Sequence, residues 1–242
     1  MKISRIVAAL ALASSATAAS AGPPYLTDDP EPTETGHWEI YGFTAGEGQG
    51  SSLDEDLGLD LNYGPIKDVQ LTATVPASFS HNRAEGWRSG TGDLELGLKF
   101  RFIHDEKSGV SAAIFPRAIL PTANHSPGER TRILLPIWVG KDFAGGTSIF
   151  GGGGYEFNPG PDDRDFWLAA VAITHDLSKR LSVGVEAAWQ QADTAGGTNQ
   201  TRAGVGAIYK LSEHYSLLVS GGPTWADHHT GYHIYAALGA NF

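Results

Sequence analysis

The sequence of 242 residues contains no cysteine and a single methionine. Without cysteine, neither a disulfide framework nor a thiolate metal site can form. No stretch beyond the N-terminus approaches the about 18 consecutive apolar residues that a transmembrane helix needs. The formal net charge is −10, and no cluster of lysine or arginine offers a surface for nucleic acid. These absences exclude a disulfide-stapled domain and a helical membrane protein, and they give no indication of a nucleic-acid partner.

The N-terminus has the pattern of an export signal. Lys2 and Arg5 provide a positive start, residues 6–13 form a short apolar run, and residues 19–21 read Ala-Ser-Ala. A small-x-small triplet after such a run is typical of a signal peptidase site. The sequence therefore predicts a signal peptide over residues 1–21, cleaved before Gly22. A soluble secreted or periplasmic protein is the alternative at this point.

From residue 37 to residue 242, segments of about ten residues alternate apolar side chains with polar or small ones. Alternation with a period of two is the signature of a β-strand with two different faces. The clearest segment is 93–103, which has one purely apolar face: Leu94, Leu96, Leu98, Phe100 and Phe102. In a membrane barrel one such face meets lipid and the other meets the lumen.

Twelve strands are predicted, near residues 37–46, 55–63, 69–80, 92–103, 110–121, 132–142, 147–157, 165–175, 181–191, 201–211, 215–225 and 232–242. Tight charged connections alternate with longer polar stretches at 81–91, 122–131, 158–164 and 192–200. Short periplasmic turns alternating with longer outer loops are typical of outer-membrane barrels. The predicted fold is therefore an all-β, transmembrane antiparallel β-barrel of about twelve strands, with both termini on the periplasmic side.

The final predicted strand ends on an aromatic residue at the C-terminus. Its apolar face is Tyr232, Ile234, Ala236, Leu238, Ala240 and Phe242. A closing strand that ends in this way resembles the signal read by the barrel-assembly machinery of Gram-negative bacteria. The expected partners are this machinery and outer-membrane lipid, and the expected location is the cell outer membrane.

If the alternation is right, ten charged side chains point into the lumen, five of each sign. They are Glu39, Asp60, Glu95, Lys99, Arg101, Arg117, Glu156, Glu186, Arg202 and Lys210. A twelve-stranded wall encloses more space than side chains fill easily, and less than a porin channel. Two interpretations remain open for these residues: ion pairs that brace the wall, or the lining of a narrow path for solutes.

Catalytic and metal-binding patterns are weak. A barrel hydrolase needs a serine beside a histidine and an orienting group, and the candidates are His81-Asn82, His125-Ser126 and His228-His229. None has a serine partner at strand spacing. Asp227, His228 and His229, with His233 nearby, are the types of residue that bind a divalent ion, but paired loop histidines are common by chance. We therefore expect no enzyme, no metal site and no cofactor.

The predicted mature N-terminus carries the most specific motif. Residues 22–32 read GPPYLTDDPEP, and residues 36–41 read GHWEIY. This resembles the start of the outer-membrane family named for a MetA pathway of phenol degradation, firmly over about twenty residues and in pattern beyond them. The resemblance implies a porin-like barrel and a role in the uptake of small compounds, including aromatic or hydrophobic ones. It implies no catalytic residues.

The proline-rich and acidic segment 22–36 cannot pair as the interior of a strand, because proline lacks a backbone donor. We expect it to enter the lumen as a plug or to cover the periplasmic mouth. Its acids Asp28, Asp29, Glu31 and Glu34 would then meet Lys99, Arg101, Arg117 or Arg202. Three functions remain open: a passive channel for small solutes, a structural or surface-interaction barrel, and a lipid-acting outer-membrane hydrolase.

Overall fold

The computed structural model describes residues 24–84, 86–124 and 130–242, which form a closed barrel of twelve strands. The predicted signal peptide, its cleavage site and the His125-Ser126 pair lie outside these residues. The strands are β1 Trp38–Gln49, β2 Ser52–Ile66, β3 Val69–Asn82, β4 in two segments Gly86–Thr91 and Leu94–Asp105, β5 in two segments Val110–Ile114 and Arg117–Leu120, β6 Arg132–Phe143, β7 Thr147–Phe157, β8 Phe166–Ser178, β9 Leu181–Gln190, β10 Gln200–Lys210, β11 Tyr215–Ala226 and β12 His229–Asn241.

Each strand pairs antiparallel with its neighbours in sequence, and β1 pairs with β12 to close the sheet. The closing seam ends in two backbone hydrogen bonds of 3.0 Å between Trp38 and Phe242, one in each direction. Among the described residues the sheet thus closes on itself, and closure removes the unpaired edges that an open sheet would expose to lipid. The predicted antiparallel barrel of about twelve strands is confirmed.

Two strands are interrupted. β4 breaks at residues 92–93, where the Gly92 amide bonds the Pro76 carbonyl at 2.9 Å, and β5 breaks at residues 115–116. Pro116 has no amide hydrogen to donate to a ladder. The first segment of β4, Gly86–Thr91, pairs antiparallel with residues 77–82 of β3. The prediction of a loop over the whole of 81–91 is therefore wrong, since His81, Asn82 and Gly86–Thr91 pair as strands.

The outer face of the wall is apolar. Large hydrophobic side chains at alternate positions are 42–65% exposed: Leu57, Leu59, Val75, Leu96, Leu98, Val171, Ile173, Val185, Val205, Val219 and Leu238. Aromatic rings gather near the strand ends, as in the Trp38–Tyr63 stack with centroids 4.7 Å apart and the Tyr155–Trp167 contact at 4.9 Å. Such rings favour the membrane–water interface. None of the described residues belongs to a helix long and apolar enough to cross a membrane.

The inner face is more mixed than the expected hydrophilic lining. One buried apolar cluster, here called the Trp138 cluster, comprises Phe115, Ile119, Leu134, Trp138, Phe166, Leu168, Ala170 and Ala188. A second, the Tyr41 cluster, comprises Tyr41, Phe43, Leu218 and Ala237. Trp138 is completely buried, and a Cβ at Gly152 on the neighbouring strand would lie 3.0 Å from its indole. Alternation assigns residues to faces, but it does not show that β6 and β8 are apolar on both.

Candidate functional site

The N-terminal segment, of which residues 24–36 are described, lies inside the barrel. It leaves the lumen at the base of β2, where the Gly36 amide bonds the Gly64 carbonyl at 2.7 Å and Thr35 bridges Gly64. Gly36 has a φ of +82°, which favours glycine at the bend into β1. The chain therefore enters its first strand from the inside of the sheet.

Lys99 on β4 holds the middle of this segment. Its Nζ donates to Asp28 Oδ1 at 2.9 Å, to the Asp29 carbonyl at 3.1 Å and to the Glu31 carbonyl at 3.2 Å. These contacts use all three donors of an ammonium group. The side chain is only 2% exposed, and its Nζ lies 5.0 Å from the centre of the Phe115 ring. A fully partnered buried cation thus fixes the backbone of the segment at residues 28–31.

Arg101 lies two residues after Lys99 on β4 and also holds the segment. It forms an ion pair with Glu31 of the segment and bonds Asp68 Oδ1 through Nε at 2.9 Å and Nη2 at 2.6 Å. Two nitrogens of one guanidinium on one acid give a fixed geometry. Arg101 therefore ties the segment to the β2–β3 turn.

Hydrogen bonds from uncharged donors attach both ends of the segment. Glu186 on β9 accepts from the Thr27 amide at 2.9 Å and from its hydroxyl at 3.1 Å. Gln70 on β3 accepts from the Thr33 amide at 2.8 Å and from its hydroxyl at 3.1 Å. Ser220 on β11 donates to the Pro24 carbonyl. The segment is thus bonded to strands on several sides of the lumen.

Two glycines form a notch for Tyr25. A Cβ at Gly184 would lie 2.5 Å from the Tyr25 hydroxyl oxygen, and one at Gly206 would lie 2.7 Å from its ring. Gly140 similarly leaves room for Pro30, which a Cβ would approach to 3.0 Å. Burial raises the pKa of Tyr25 to about 12, so the phenol stays uncharged at neutral pH. The wall is shaped to receive this tyrosine.

Burial also affects the acids of the segment. It raises the pKa of Asp29 to about 7, and the nearby carboxylates of Asp28 and Glu31 act in the same direction, whereas Lys99 opposes them. The Asp29 carboxylate also accepts the Glu31 amide at 2.9 Å. Asp29 is therefore the group of the segment whose charge changes near neutral pH.

The structure places the ten sequence-predicted lumen residues as follows. Three of them, Lys99, Arg101 and Glu186, contact the segment as described above. Ion pairs within the wall join Arg117 to Glu95 at 3.2 Å, Glu156 to Arg132 at 3.1 Å and Arg202 to Glu47 at 2.7 Å. Asp60 accepts a hydrogen bond from Thr74 at 3.2 Å, Glu39 accepts one from Tyr41 at 3.3 Å, and Lys210 lines the mouth nearest the termini. Of the four cations expected to meet the segment, Lys99 and Arg101 form ion pairs with its acids. Arg117 and Arg202 pair with acids of the wall instead.

Sequence reasoning missed several contacts. The Tyr25 notch, the Thr33–Gln70 bonds and the Trp138 cluster do not follow from the sequence, because charge complementarity predicts ion pairs and gives no information about glycines, amides and apolar rings. The signal for the notch in the sequence is Gly184 on β9 together with Gly204 and Gly206 at alternate positions of β10. These glycines indicate a notch only together with their partner, Tyr25, which the structure provides.

Open space remains on both sides of the segment. A cavity of about 1250 Å³ at the mouth nearest the termini is lined by residues 31–35 together with Lys179, Arg180 and Lys210. A cavity of about 720 Å³ towards the opposite mouth is lined by Thr74, Ser78, Arg88, Glu95, Arg132 and Glu156, among others. The segment therefore lies between two cavities that are large enough to hold water.

The histidines considered for catalysis or metal binding have other surroundings. His81 Nδ1 lies 3.2 Å from the Ser51 carbonyl, and its ring packs on Trp87 with centroids 4.9 Å apart. Asp227 and His228 form a tight turn with positive φ angles. Across residues 24–84, 86–124 and 130–242, no group of three or more His, Cys, Asp or Glu side chains is arranged to hold a metal ion.

A serine–histidine contact occurs elsewhere, between Ser111 Oγ and His104 Nδ1 at 3.2 Å. The other ring nitrogen lies 3.8 Å from Glu106, beyond hydrogen-bond range, and Glu106 is 87% exposed in a turn. Ser111 itself is buried in the wall. A catalytic nucleophile needs a base that a third group orients, and Glu106 does not orient His104 by a hydrogen bond.

Comparison with solved structures agrees with the fold. The chain is similar to an outer membrane channel from Pseudomonas putida F1 at 15% identity and a TM-score of 0.69, covering 88% of this chain and 98% of that one. It is similar to the NanC porin at 8% identity and a TM-score of 0.58, covering 83% and 98%. The translocator domain of the autotransporter NalP from Neisseria meningitidis matches at 13% identity and a TM-score of 0.55, covering 86% and 90%.

No curated protein sequence matches the chain. A family model described as "Putative MetA-pathway of phenol degradation" matches residues 33–242. This range runs from the end of the N-terminal segment through all twelve strands, so the resemblance noted at the first strand extends over the whole barrel. The chain belongs to this family.

Proposed function

We propose that the protein is a passive channel for small solutes in the cell outer membrane, with the N-terminal segment as a plug that narrows its lumen. The observation that carries the proposal is the set of contacts of Lys99, which binds Asp28 and two backbone carbonyls of the segment in the middle of the barrel. A cavity lies on each side of this point. Movement of the segment would join the two cavities.

The wall supports this function because several of its charges pair with one another and not with the segment. Arg117 with Glu95 and Arg132 with Glu156 brace the lumen independently of the segment. A twelve-stranded barrel also encloses more space than these side chains occupy. Removal of the segment would therefore leave a wall that keeps its shape around a wider, water-filled path.

For the solute we propose small aromatic or hydrophobic compounds. The description of the family names phenol degradation, and Ile119 and Leu134 of the Trp138 cluster line the cavity towards the opposite mouth, where they would contact such compounds. Ligand sites commonly combine apolar walls with a few polar groups. The paired charges beside this cluster would supply the polar groups.

The test is single-channel conductance in planar lipid bilayers. We expect deletion of residues 23–35 to raise the conductance, because it removes the contacts that cross the lumen. A synthetic peptide with the sequence of residues 22–36 should reduce the conductance of the deleted protein again. Equal conductance of the full-length and deleted proteins would refute the plug.

A single substitution provides a milder version of this test. Lys99→Met removes the cation that holds the segment, and we expect conductance between that of the full-length and deleted proteins. Lys141→Met is the matched control, because Lys141 is an exposed lysine whose Nζ lies 5.3 Å from the Phe143 ring. A change in Lys141→Met as large as in Lys99→Met would mean that loss of any lysine has this effect.

Two other functions lead to different results. A structural or surface-interaction barrel would show no solute-sized conductance even after the deletion, and exchange of its outer loops would abolish a binding phenotype. A lipid-acting hydrolase would lose activity on substitution of His81. The contacts of His81 with a backbone carbonyl and Trp87 give this histidine a place in the hairpin rather than beside a nucleophile.

A further inference from the structure

Two smaller cavities lie on either side of Tyr25 in the N-terminal segment. The first, here called the crevice, has a volume of about 140 Å³ and lies between the segment and strands β5–β10. The second, here called the side cavity, has a volume of about 550 Å³ and lies between residues 24–26 and parts of β1–β3 and β9–β12. Among the described residues, Tyr25 alone lines both cavities.

The crevice and the side cavity extend the two larger cavities of the lumen towards each other. Four residues line both the crevice and the cavity at the mouth nearest the termini: Glu31, Asp142, Ile208 and Lys210. Three residues line both the side cavity and the cavity towards the opposite mouth: Asp56, Ser78 and Ser80. Four cavities therefore follow one another beside the segment, and Tyr25 stands between the middle two.

The backbone is bonded to the wall on both sides of Tyr25. Ser220 on β11 donates to the Pro24 carbonyl. The Thr27 amide donates to Glu186 on β9 at 2.9 Å. These two bonds fix the position of the chain at residues 24–27 without involving the side chain of Tyr25.

The side chain of Tyr25 is held by packing. It lies over the notch formed by Gly184 and Gly206, and its ring centroid is 6.5 Å from that of Phe150. Side chains move between staggered rotamers by rotation about their χ angles. The ring can therefore turn out of the notch, towards the larger side cavity, while the backbone bonds on both sides of it stay formed.

We propose that solutes pass beside the seated segment and that the ring of Tyr25 is the gate of this path; the proposal rests on the channel function proposed above. With the ring in the notch, the crevice and the side cavity are separate. With the ring turned out, the four cavities join while Lys99 keeps its contacts with the segment. The passage that opens has the size of the ring that leaves it, so the gate selects solutes no larger than a single aromatic ring.

Single-channel conductance of the full-length protein tests the gate. We expect Tyr25→Ala to raise the conductance above that of the unmodified protein and to keep it below that of the protein without residues 23–35. Tyr25→Phe should leave the conductance unchanged, because it keeps the ring. Leu26→Ala is the matched control, since Leu26 lines the side cavity but not the crevice. An equal rise in Leu26→Ala and Tyr25→Ala would overturn the proposal.

A cysteine reporter shows whether the segment stays in place when the gate is opened. The chain has no cysteine of its own. Thr33 is 5% exposed, and its amide donates to Gln70 at 2.8 Å. We expect Thr33→Cys to react with a membrane-impermeant maleimide as slowly in the Tyr25→Ala background as without it, and quickly after unfolding. Thr27→Cys, at 3% exposure, is a second reporter. Faster labelling in the Tyr25→Ala background would mean that Tyr25 anchors the segment, and would overturn the gate.

The deletion of residues 23–35 separates this proposal from the channel function. A rise in conductance on deletion, without a rise in Tyr25→Ala, would overturn the gate and support the plug alone. A deleted protein without conductance would refute the channel and the path with it. A rise in both, with Thr33→Cys still protected, would support the gate.

Discussion

The two faces of the wall differ in what they require of their residues. The outer face needs apolar side chains at alternate positions, and leucine, valine, isoleucine and alanine serve there equally. The inner face has particular residues at particular places: a lysine under three oxygens of the segment, a glycine notch under a tyrosine, and two apolar clusters. The outer face determines where the protein resides, and the inner face determines what it holds.

This difference predicts unequal losses of stability when neighbouring positions of one strand receive the same charged residue. Val75 on β3 is 52% exposed on the outer face, and Thr74 bonds Asp60 in the lumen. We expect Val75→Arg to destabilise the barrel by about 2–4 kcal/mol, the range for arginine on the lipid face at mid-depth. Thr74→Arg should have a much smaller effect, because it places the charge beside Asp60 and an open cavity.

Unfolding in urea from lipid vesicles measures both variants. The adjacent residues have the same depth in the membrane, so depth does not explain a difference between them. Equal destabilisation would show that the face of the wall does not decide the response, which contradicts the comparison.

The glycine notch provides a smaller effect on the inner face alone. Gly206→Ala places a Cβ 2.7 Å from the Tyr25 ring, and we expect it to weaken the hold on the segment by about 1–3 kcal/mol, the range for an overpacked contact. Conductance of the variant should rise. Gly42→Ala is the matched control in a strand, since the nearest side-chain atom to its Cβ would be 4.0 Å away.

A double-mutant cycle identifies the clash as the cause. With Tyr25→Ala in the background, the notch is empty, and Gly206→Ala should have no further effect on conductance. An additive effect of the two substitutions would mean that Gly206 acts on the wall and not through Tyr25.

The smallest expected effect is a pH dependence of the inner face. Asp29 has a pKa of about 7 in the lumen, compared with 3.8 for an ordinary aspartate. The seated segment therefore binds a proton more tightly than the free segment, so seating weakens as the pH rises from about 4 to about 7 and is constant above that range. We expect conductance to rise over this window.

The Asp29→Asn variant tests the source of that dependence. Its conductance should change less between pH 4 and pH 7 than that of the unmodified protein, whereas Glu106→Gln in the exposed turn should leave the profile unchanged. The same slope in Asp29→Asn and the unmodified protein would assign the dependence to another group.

The sequence predicts the outer face better than the inner one. Alternation of residues such as Leu96 and Leu98 is repeated along the chain, so all twelve strands and their order follow from it. The inner face has no such repeated pattern. There Trp138 packs against residues of other strands, and Tyr25 contacts glycines about 160 and 180 residues away in the sequence. Charge complementarity anticipated Lys99 and Arg101 as partners of the segment, but Arg117 and Arg202 had equally suitable acids in the wall.

The seam between β1 and β12 has a consequence for the order of assembly. The N-terminal segment precedes β1, yet its contacts with Glu186, Gly206 and Ser220 are on β9, β10 and β11. The seam can form only when β12, the last strand of the chain, is present, so the wall around the segment closes after the C-terminal strands are available. A segment that comes before the first strand thus depends for its final neighbours on strands near the end of the chain.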